Sequence, residues 1–261
     1  MNKINFRKNS ADFCLVCLSM EFIRNQLPNA LTCLNLLCGL SGIVLLAEGG
    51  KEAFPALCKL VFIAGAADFF DGFLARLLRS ASSIGKDLDS LADAVTFGVL
   101  PGIACYFALK ETGAGLWAWT GLLVPLISVI RLARFNNDPG QSLSFKGVPT
   151  PANAFFLIFL LDARFFGSGW VSRLIPDTAT LSLIILASSW MLLAPFRILA
   201  LKFKSYSWKA NQEKYLLIIT CLILTGIFGK DSAPLLYLSY IGFSLWYGFR
   251  QRKNPPFQAD F

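Results

Sequence analysis

Apolar residues run along this chain in long blocks without period-two alternation, and the blocks are separated by clusters of Gly, Pro, Asn and charged residues. A helix needs roughly 17–25 mostly apolar residues to cross a bilayer. With slightly shorter blocks allowed at helix hairpins, the pattern predicts eight spans, near 27–47, 53–79, 88–109, 116–136, 151–167, 178–200, 214–229 and 233–249. Membrane barrel strands would alternate apolar and polar positions, so the expected fold class is all-α, a polytopic membrane helix bundle. Short Gly-, Pro- and charge-bearing segments near 47–55, 110–115 and 229–234 read as hairpin turns. The connections at 135–151 and 202–214 are longer. No repeat or linker divides the chain, which gives an N-terminal segment 1–26, one transmembrane domain 27–250 and a tail 251–261.

Composition agrees with that reading: 261 residues, 55% hydrophobic, 15% charged, mean hydropathy +0.58. Orientation follows from the basic residues. With the N-terminus inside, Lys3, Arg7, Lys8, Arg24, Arg76, Arg79, Lys86, Arg131, Arg134, Lys146 and the basic loop after the sixth span all face the cytoplasm. Lys51, Lys110, Arg164, Arg173 and Lys230 fall outside. The positive-inside rule therefore places both termini at the cytoplasmic face of the cell membrane. The net charge of +8 is spread over loops without a nucleic-acid motif, and suits topology and anionic headgroups better than a nucleic-acid partner.

The apolar piece 13–20 is too short to span and reads as an interfacial helix, with Met20 an alternative start. Cys14 and Cys17 form a C-x-x-C without a second pair, and the chain has no His. That argues against zinc. Cys33, Cys38, Cys58, Cys105 and Cys221 read as packing residues, and Trp117, Trp119, Trp190, Trp208 and Trp246 as lipid-facing and interfacial anchors.

Four aspartates break this economy. A carboxylate at bilayer depth costs roughly 2.5–3.5 kcal/mol unless it faces the protein interior or a cation. Asp68, Asp71, Gly72, Ala75 and Arg76 fall at i, i+3, i+4, i+7 and i+8 and form one stripe of a helix; Gly85, Asp89 and Asp93 form a second stripe on the next. The link is short, so the helices are expected to be antiparallel neighbours with facing stripes. Converging carboxylates without His or thiolate suit hard divalent cations, Mg2+ or Mn2+. Two such ions form the clamp used in phosphoryl transfer. Gly72 and Ala75 would let a group approach the backbone, and Arg76 can reach a phosphate; Gly72 and Gly85 can also be read as packing glycines between close helices. Asp87 lies off the stripe and reads as a surface charge.

The pattern D68-x2-D71-G72-x2-A75-R76-x8-G85-x3-D89-x3-D93 resembles, without gap or substitution, the signature of the CDP-alcohol phosphotransferases, membrane enzymes of phospholipid synthesis. The resemblance implies a metal-dependent transferase in which Asp68, Asp71, Asp89 and Asp93 hold two metals. It implies that Gly72, Ala75, Arg76 and Gly85 line the CDP-diacylglycerol site and that Asp93 is the general base. LPNALTCLNLLCGL (27–40), KDLDSLADAVTFGVLPG (86–102), RLARFN (131–136) and FKGVPTPANA (145–154) are similar to the branch of the family whose acceptor is serine. That branch transfers the phosphatidyl group of CDP-diacylglycerol to L-serine and releases CMP. A six-helix family core plus two helices and a homodimer would fit.

Serine recognition calls for cations on the cytoplasmic side. Arg131, Arg134 and Lys146 are the candidates, with Arg131 and Arg134 also open to a role in topology or lipid-phosphate binding. Thr150 and Asn136 are carried by resemblance alone. Asn29, Thr32 and Asn35, polar at i, i+3 and i+6 in the first span, read either as glue between helices or as a nucleotide-facing edge. Two alternatives stand beside the serine enzyme. One is a sister transferase using glycerol 3-phosphate or an inositol phosphate; the other is a divalent-cation transporter, for which the inverted repeat and broken mid-membrane helices are lacking.

Overall fold

The structure, a computed structural model, describes residues 3–80, 82–137, 145–195, 197–198 and 208–253. It is all-helical apart from one two-residue strand pair. Helix α1 (Lys3–Gly49) turns through a 3-10 segment, Gly50–Ala53, into α2 (Phe54–Leu77). Next come α3 (Ser83–Asp93), a π-helical turn (Ala94–Val99) and α4 (Leu100–Glu111), which read as one bent rod. A 3-10 segment, Gly115–Leu122, leads into α5 (Leu123–Asn137). Strand β1 (Phe145–Lys146), α6 (Thr150–Phe166), the short α7 (Trp170–Leu174), α8 (Thr178–Leu192) and β2 (Arg197–Ile198) follow. Helix α9 (Trp208–Phe228), a 3-10 turn (Gly229–Ser232) and α10 (Ala233–Lys253) complete the chain.

Among the described residues, four stretches are long and apolar enough to cross a membrane: Gln26–Leu77, Ser83–Glu111, Gly115–Asn137 and Asn211–Gly248. The first and last each hold two helices joined at a turn whose leading glycine, Gly50 or Gly229, has φ of +54°. Helices α6 and α8 have 17 and 15 residues. At about 1.5 Å per residue α6 reaches roughly 26 Å, short of a hydrocarbon core of about 30 Å.

Lipid cannot drive helices together by excluding water, so close packing and polar contacts must do it. Helix α6 is central, with Ala154, Leu157, Ile158, Leu160, Leu161 and Ala163 all buried, and it meets α2, α4, α8 and α10. On α1, Gly39 lies directly against Thr96 of the π turn, and Gly42 lies 3.0 Å from Leu100 when given a Cβ. Gly39 has no room for a side chain, and at Gly42 the Leu100 side chain would have to give way. The outward faces are apolar: Phe62, Phe69, Leu77, Leu222 and Ile227 are exposed, as are Trp117, Trp119, Trp190 and Trp246. Exposure is what a lipid-facing reading of those four tryptophans requires; the side chain of Trp208 lies outside the described residues.

Three expectations change. The backbone is helical without interruption from Lys3 to Gly49, so 13–20 is part of α1 rather than a separate interfacial helix. Pro28 lies inside it; a proline there removes one hydrogen bond but does not end a membrane helix. The connection 135–151 ends in β1, which pairs antiparallel with β2, Phe145 opposite Ile198 and Lys146 opposite Arg197. Cys38, Cys58 and Cys105 are buried as packing residues should be, whereas Cys33 is exposed.

Candidate metal and acceptor site

Helix α2 starts with Pro55 in its first turn and ends at Leu77, beyond which Arg79 takes φ of +50° and turns the chain. Ser82 then caps α3: its hydroxyl accepts from the Gly85 amide at 3.0 Å. The cap sets the helical phase of Asp89 and Asp93. These two acid-bearing helices make little contact with each other; both pack on α1. The stripes therefore do face, as the spacing predicts, but across a gap with α1 as its back wall. Carboxylates that repel one another are held on facing edges by a third helix.

One carboxylate oxygen from each of Asp68, Asp71 and Asp89 lies within 4.8 Å of the others. Asp71 is buried, and the other two are half-buried. Thr32 Oγ1 of α1 donates to Asp71 Oδ2 at 2.7 Å and lies 3.1 Å from the Pro28 carbonyl. Asn35 Nδ2 donates to Asp93 Oδ1 at 3.1 Å, and the Asn35 carbonyl accepts from Thr96 Oγ1 at 3.0 Å. The polar edge of α1 thus holds one acid on each helix, which favours its reading as glue. Asp93 stands beside the cluster of three rather than within it.

This arrangement fits a hard divalent ion. Its donors are carboxylate oxygens throughout, and Asp89 Oδ1 is buried with no hydrogen-bond donor among the described residues. Among the described residues, no Lys or Arg forms an ion pair with the four acids.

The two glycines of the motif separate. A Cβ on Gly72 would meet only Arg76 Nη1, at 3.8 Å, so the helix surface there is open and the packing reading fails. A Cβ on Gly85 would meet Ser82 Oγ at 3.0 Å and Asn29 Oδ1 at 3.1 Å, so Gly85 is a close-packing position against α1. Ala75 is half-buried and Arg76 exposed.

The arginines also separate. Arg131 is buried, at 8% exposure, and Nη1 donates to Thr150 Oγ1 at 2.9 Å. Its Nε is buried without an acceptor among the described residues, and Asp93 and Tyr240 lie within electrostatic reach. Arg134 is exposed on the same helix, where it suits a headgroup rather than a pocket. The side chain of Lys146 lies outside the described residues. Asn136 Nδ2 donates to Ser90 Oγ at 2.8 Å, fastening the end of α5 to α3. Gly147 has φ of +75° and lies directly against the Leu192 carbonyl, while the Val148 amide donates to Met191 O at 3.0 Å. This seats Thr150 at the start of α6.

Sequence reasoning passed over two residues here. Asn153, one turn after Thr150, is fully buried and its Nδ2 has no acceptor among the described residues. Tyr237 of α10 reaches it, OH to Oδ1, at 3.4 Å. Asn153 lies in the FKGVPTPANA stretch with no local signal of its part here, and Tyr237 is carried by no motif.

The family model described as CDP-alcohol phosphatidyltransferase matches residues 25–194, ending before α9 and α10. A Mycobacterium leprae protein named CDP-diacylglycerol–serine O-phosphatidyltransferase is 39% identical over 152 residues, 55% of this chain and 49% of its own. A Helicobacter pylori protein of the same name is 31% identical over 227 residues, 85% of this chain and 88% of its own. An archaetidylserine synthase of Methanothermobacter thermautotrophicus is 33% identical over 150 residues, 57% of this chain and 60% of its own. The chain spans about half the length of the mycobacterial relatives that it matches. With the family model matching residues 25–194, well over half of the chain, the chain belongs to the CDP-alcohol phosphatidyltransferase family.

Proposed function

We propose that the protein transfers the phosphatidyl group of CDP-diacylglycerol to the hydroxyl of L-serine, giving phosphatidylserine and CMP. The observation that carries this is the convergence of Asp68, Asp71 and Asp89 beside Asp93, with the buried Arg131 within electrostatic reach. The names of the relatives, two serine phosphatidyltransferases and an archaetidylserine synthase, support serine as acceptor.

Asp68, Asp71 and Asp89 would hold divalent metal, Mg2+ or Mn2+, and Asp93 beside them would complete the donor set for a pair of such ions. Once bound, such ions neutralise phosphate charge and raise the electrophilicity of phosphorus. Gly72 leaves the helix surface open for the cytidine end, and Arg76 and Ala75 flank it. Asp93, oriented by Asn35 through Oδ1, takes the serine hydroxyl proton. The serine oxygen bonds to the β-phosphorus, the bond to the CMP oxygen breaks, and CMP leaves. Arg131 supplies the positive charge opposite the serine carboxylate. Positioning and charge do most of the work in this class of reaction.

Eight crossings are part of the same proposal: α1, α2, the α3–α4 rod, α5, α6, α8, α9 and α10, with the site at the cytoplasmic face of the cell membrane. The tight turns at Gly50 and Gly229 support reading Gln26–Leu77 and Asn211–Gly248 as two hairpins.

The decisive experiment is an acceptor screen. Purified full-length protein with CDP-diacylglycerol and Mn2+ is given labelled serine, glycerol 3-phosphate or inositol phosphate. CMP release with a serine phospholipid is expected; product from glycerol 3-phosphate or inositol phosphate but not serine rejects the assignment.

A further inference from the structure

The family match stops at residue 194, yet α10 reaches back into the acceptor side of the site. Tyr237 is buried, at 8% exposure, and its ring stacks on Phe156 of α6 with centroids 4.0 Å apart and planes 14° from parallel. That stack fixes where its hydroxyl points: to Asn153 Oδ1, at 3.4 Å, a long bond for a hydroxyl and a carbonyl. An amide whose oxygen is engaged by a donor turns its NH2 the other way. Here Nδ2 ends buried with no acceptor among the described residues. One turn earlier on α6, Thr150 engages Arg131 Nη1, while Arg131 Nε is likewise buried without an acceptor. Tyr240, one turn beyond Tyr237 on α10, lies within electrostatic reach of Arg131, as does Asp93.

Two buried donors on neighbouring helices, each lacking an acceptor, are costly unless a ligand satisfies them. An acceptor molecule with a carboxylate and a hydroxyl is the chemistry that does so beside Asp93. The geometry points to Tyr237 as a positioning residue: from the last hairpin it orients Asn153, whose Nδ2 and Arg131 Nε together receive the carboxylate of the acceptor. This rests on the serine reading above. It assigns α10 a part in acceptor specificity although that helix lies outside the family match.

The test uses the full-length protein in mixed micelles with CDP-diacylglycerol and Mn2+. Wild-type turnover of serine is measured first; if there is none, the serine reading itself falls and the variants are not needed to show it. Given that turnover, Tyr237→Phe keeps the stack on Phe156 and removes only the hydroxyl. The KM for serine is expected to rise about two- to tenfold, the worth of one ordinary hydrogen bond, with the KM for CDP-diacylglycerol and the thermal midpoint unchanged. Asn153→Asp sets a carboxylate against the acceptor's own. Its ratio of kcat/KM for serine over serine methyl ester is expected to fall at least about tenfold. Wild-type kinetics in Tyr237→Phe, or an equal rise in both KM values, overturns the inference. If Asn153→Asp fails to fold, the KM split in Tyr237→Phe decides alone.

Discussion

Asn35 and Asp93, 58 positions apart in sequence, are joined by a 3.1 Å hydrogen bond from the amide of α1 to the carboxylate at the end of α3. The bond leaves one aspartate oxygen engaged and aims the other. Because Asn35 also takes the Thr96 hydroxyl on its backbone carbonyl, the contact is fixed from both sides of Asp93. Asn35→Ala is expected to lower kcat about ten- to a hundredfold, as loss of a supporting hydrogen bond does at such sites. Steady-state kinetics at saturating metal and substrates measure it, and an unchanged kcat would separate Asn35 from the chemistry.

Asp93→Asn keeps the shape of the side chain and removes its basicity. Turnover should fall by about 10²–10⁴ while CDP-diacylglycerol still binds, as measured by equilibrium binding of labelled lipid. Loss of binding with residual turnover would move the proton acceptor elsewhere.

Thr32 supports the buried Asp71 with a 2.7 Å bond. Thr32→Val should raise the Mn2+ concentration for half-maximal activity by about tenfold, with kcat recovered at high metal. A metal titration of the variant against wild type reads this directly.

Chelation should abolish activity in wild type, and Mg2+ or Mn2+ should restore it. The all-carboxylate donor set makes Zn2+ a poor replacement. Restoration by Zn2+ alone would contradict the assignment of the site.

Two glycines should fail in opposite ways. Gly147→Ala places a Cβ against the Leu192 carbonyl at φ of +75°, and is expected to cost at least about 1–3 kcal/mol in backbone strain, seen as a lower unfolding temperature in detergent. Gly72→Ala meets nothing nearer than 3.8 Å, so the fold should persist while the KM for CDP-diacylglycerol rises.

The acids were legible because helical spacing forces Asp68 with Asp71, and Asp89 with Asp93, onto single faces whatever the tertiary context. Their mutual approach was legible from charge, since carboxylates in apolar helices need a shared cation. Their support was not. Thr32 and Asn35 are small polar residues in an apolar run, and nothing local says whether they touch a helix or a ligand; only the placement of α1 decides. Arg131 and Arg134 looked like a pair because they are three apart, yet that spacing straddles a helix edge, and α6 covers only one of them. Tyr237 left no trace at all, because a tyrosine in the last apolar run is ordinary until α10 folds back on Asn153.

The π turn at Ala94–Val99 gives the rod that carries Asp89 and Asp93 a change of azimuth midway. Before it the acids look toward α1; at its end Gly98 seats against Ser128 of α5, and beyond it Gly102 seats against Pro125. A uniform helix would tie these two directions to a single phase. The wide turn uncouples them, so the seam with α5 can be reshaped without swinging the carboxylates out of line.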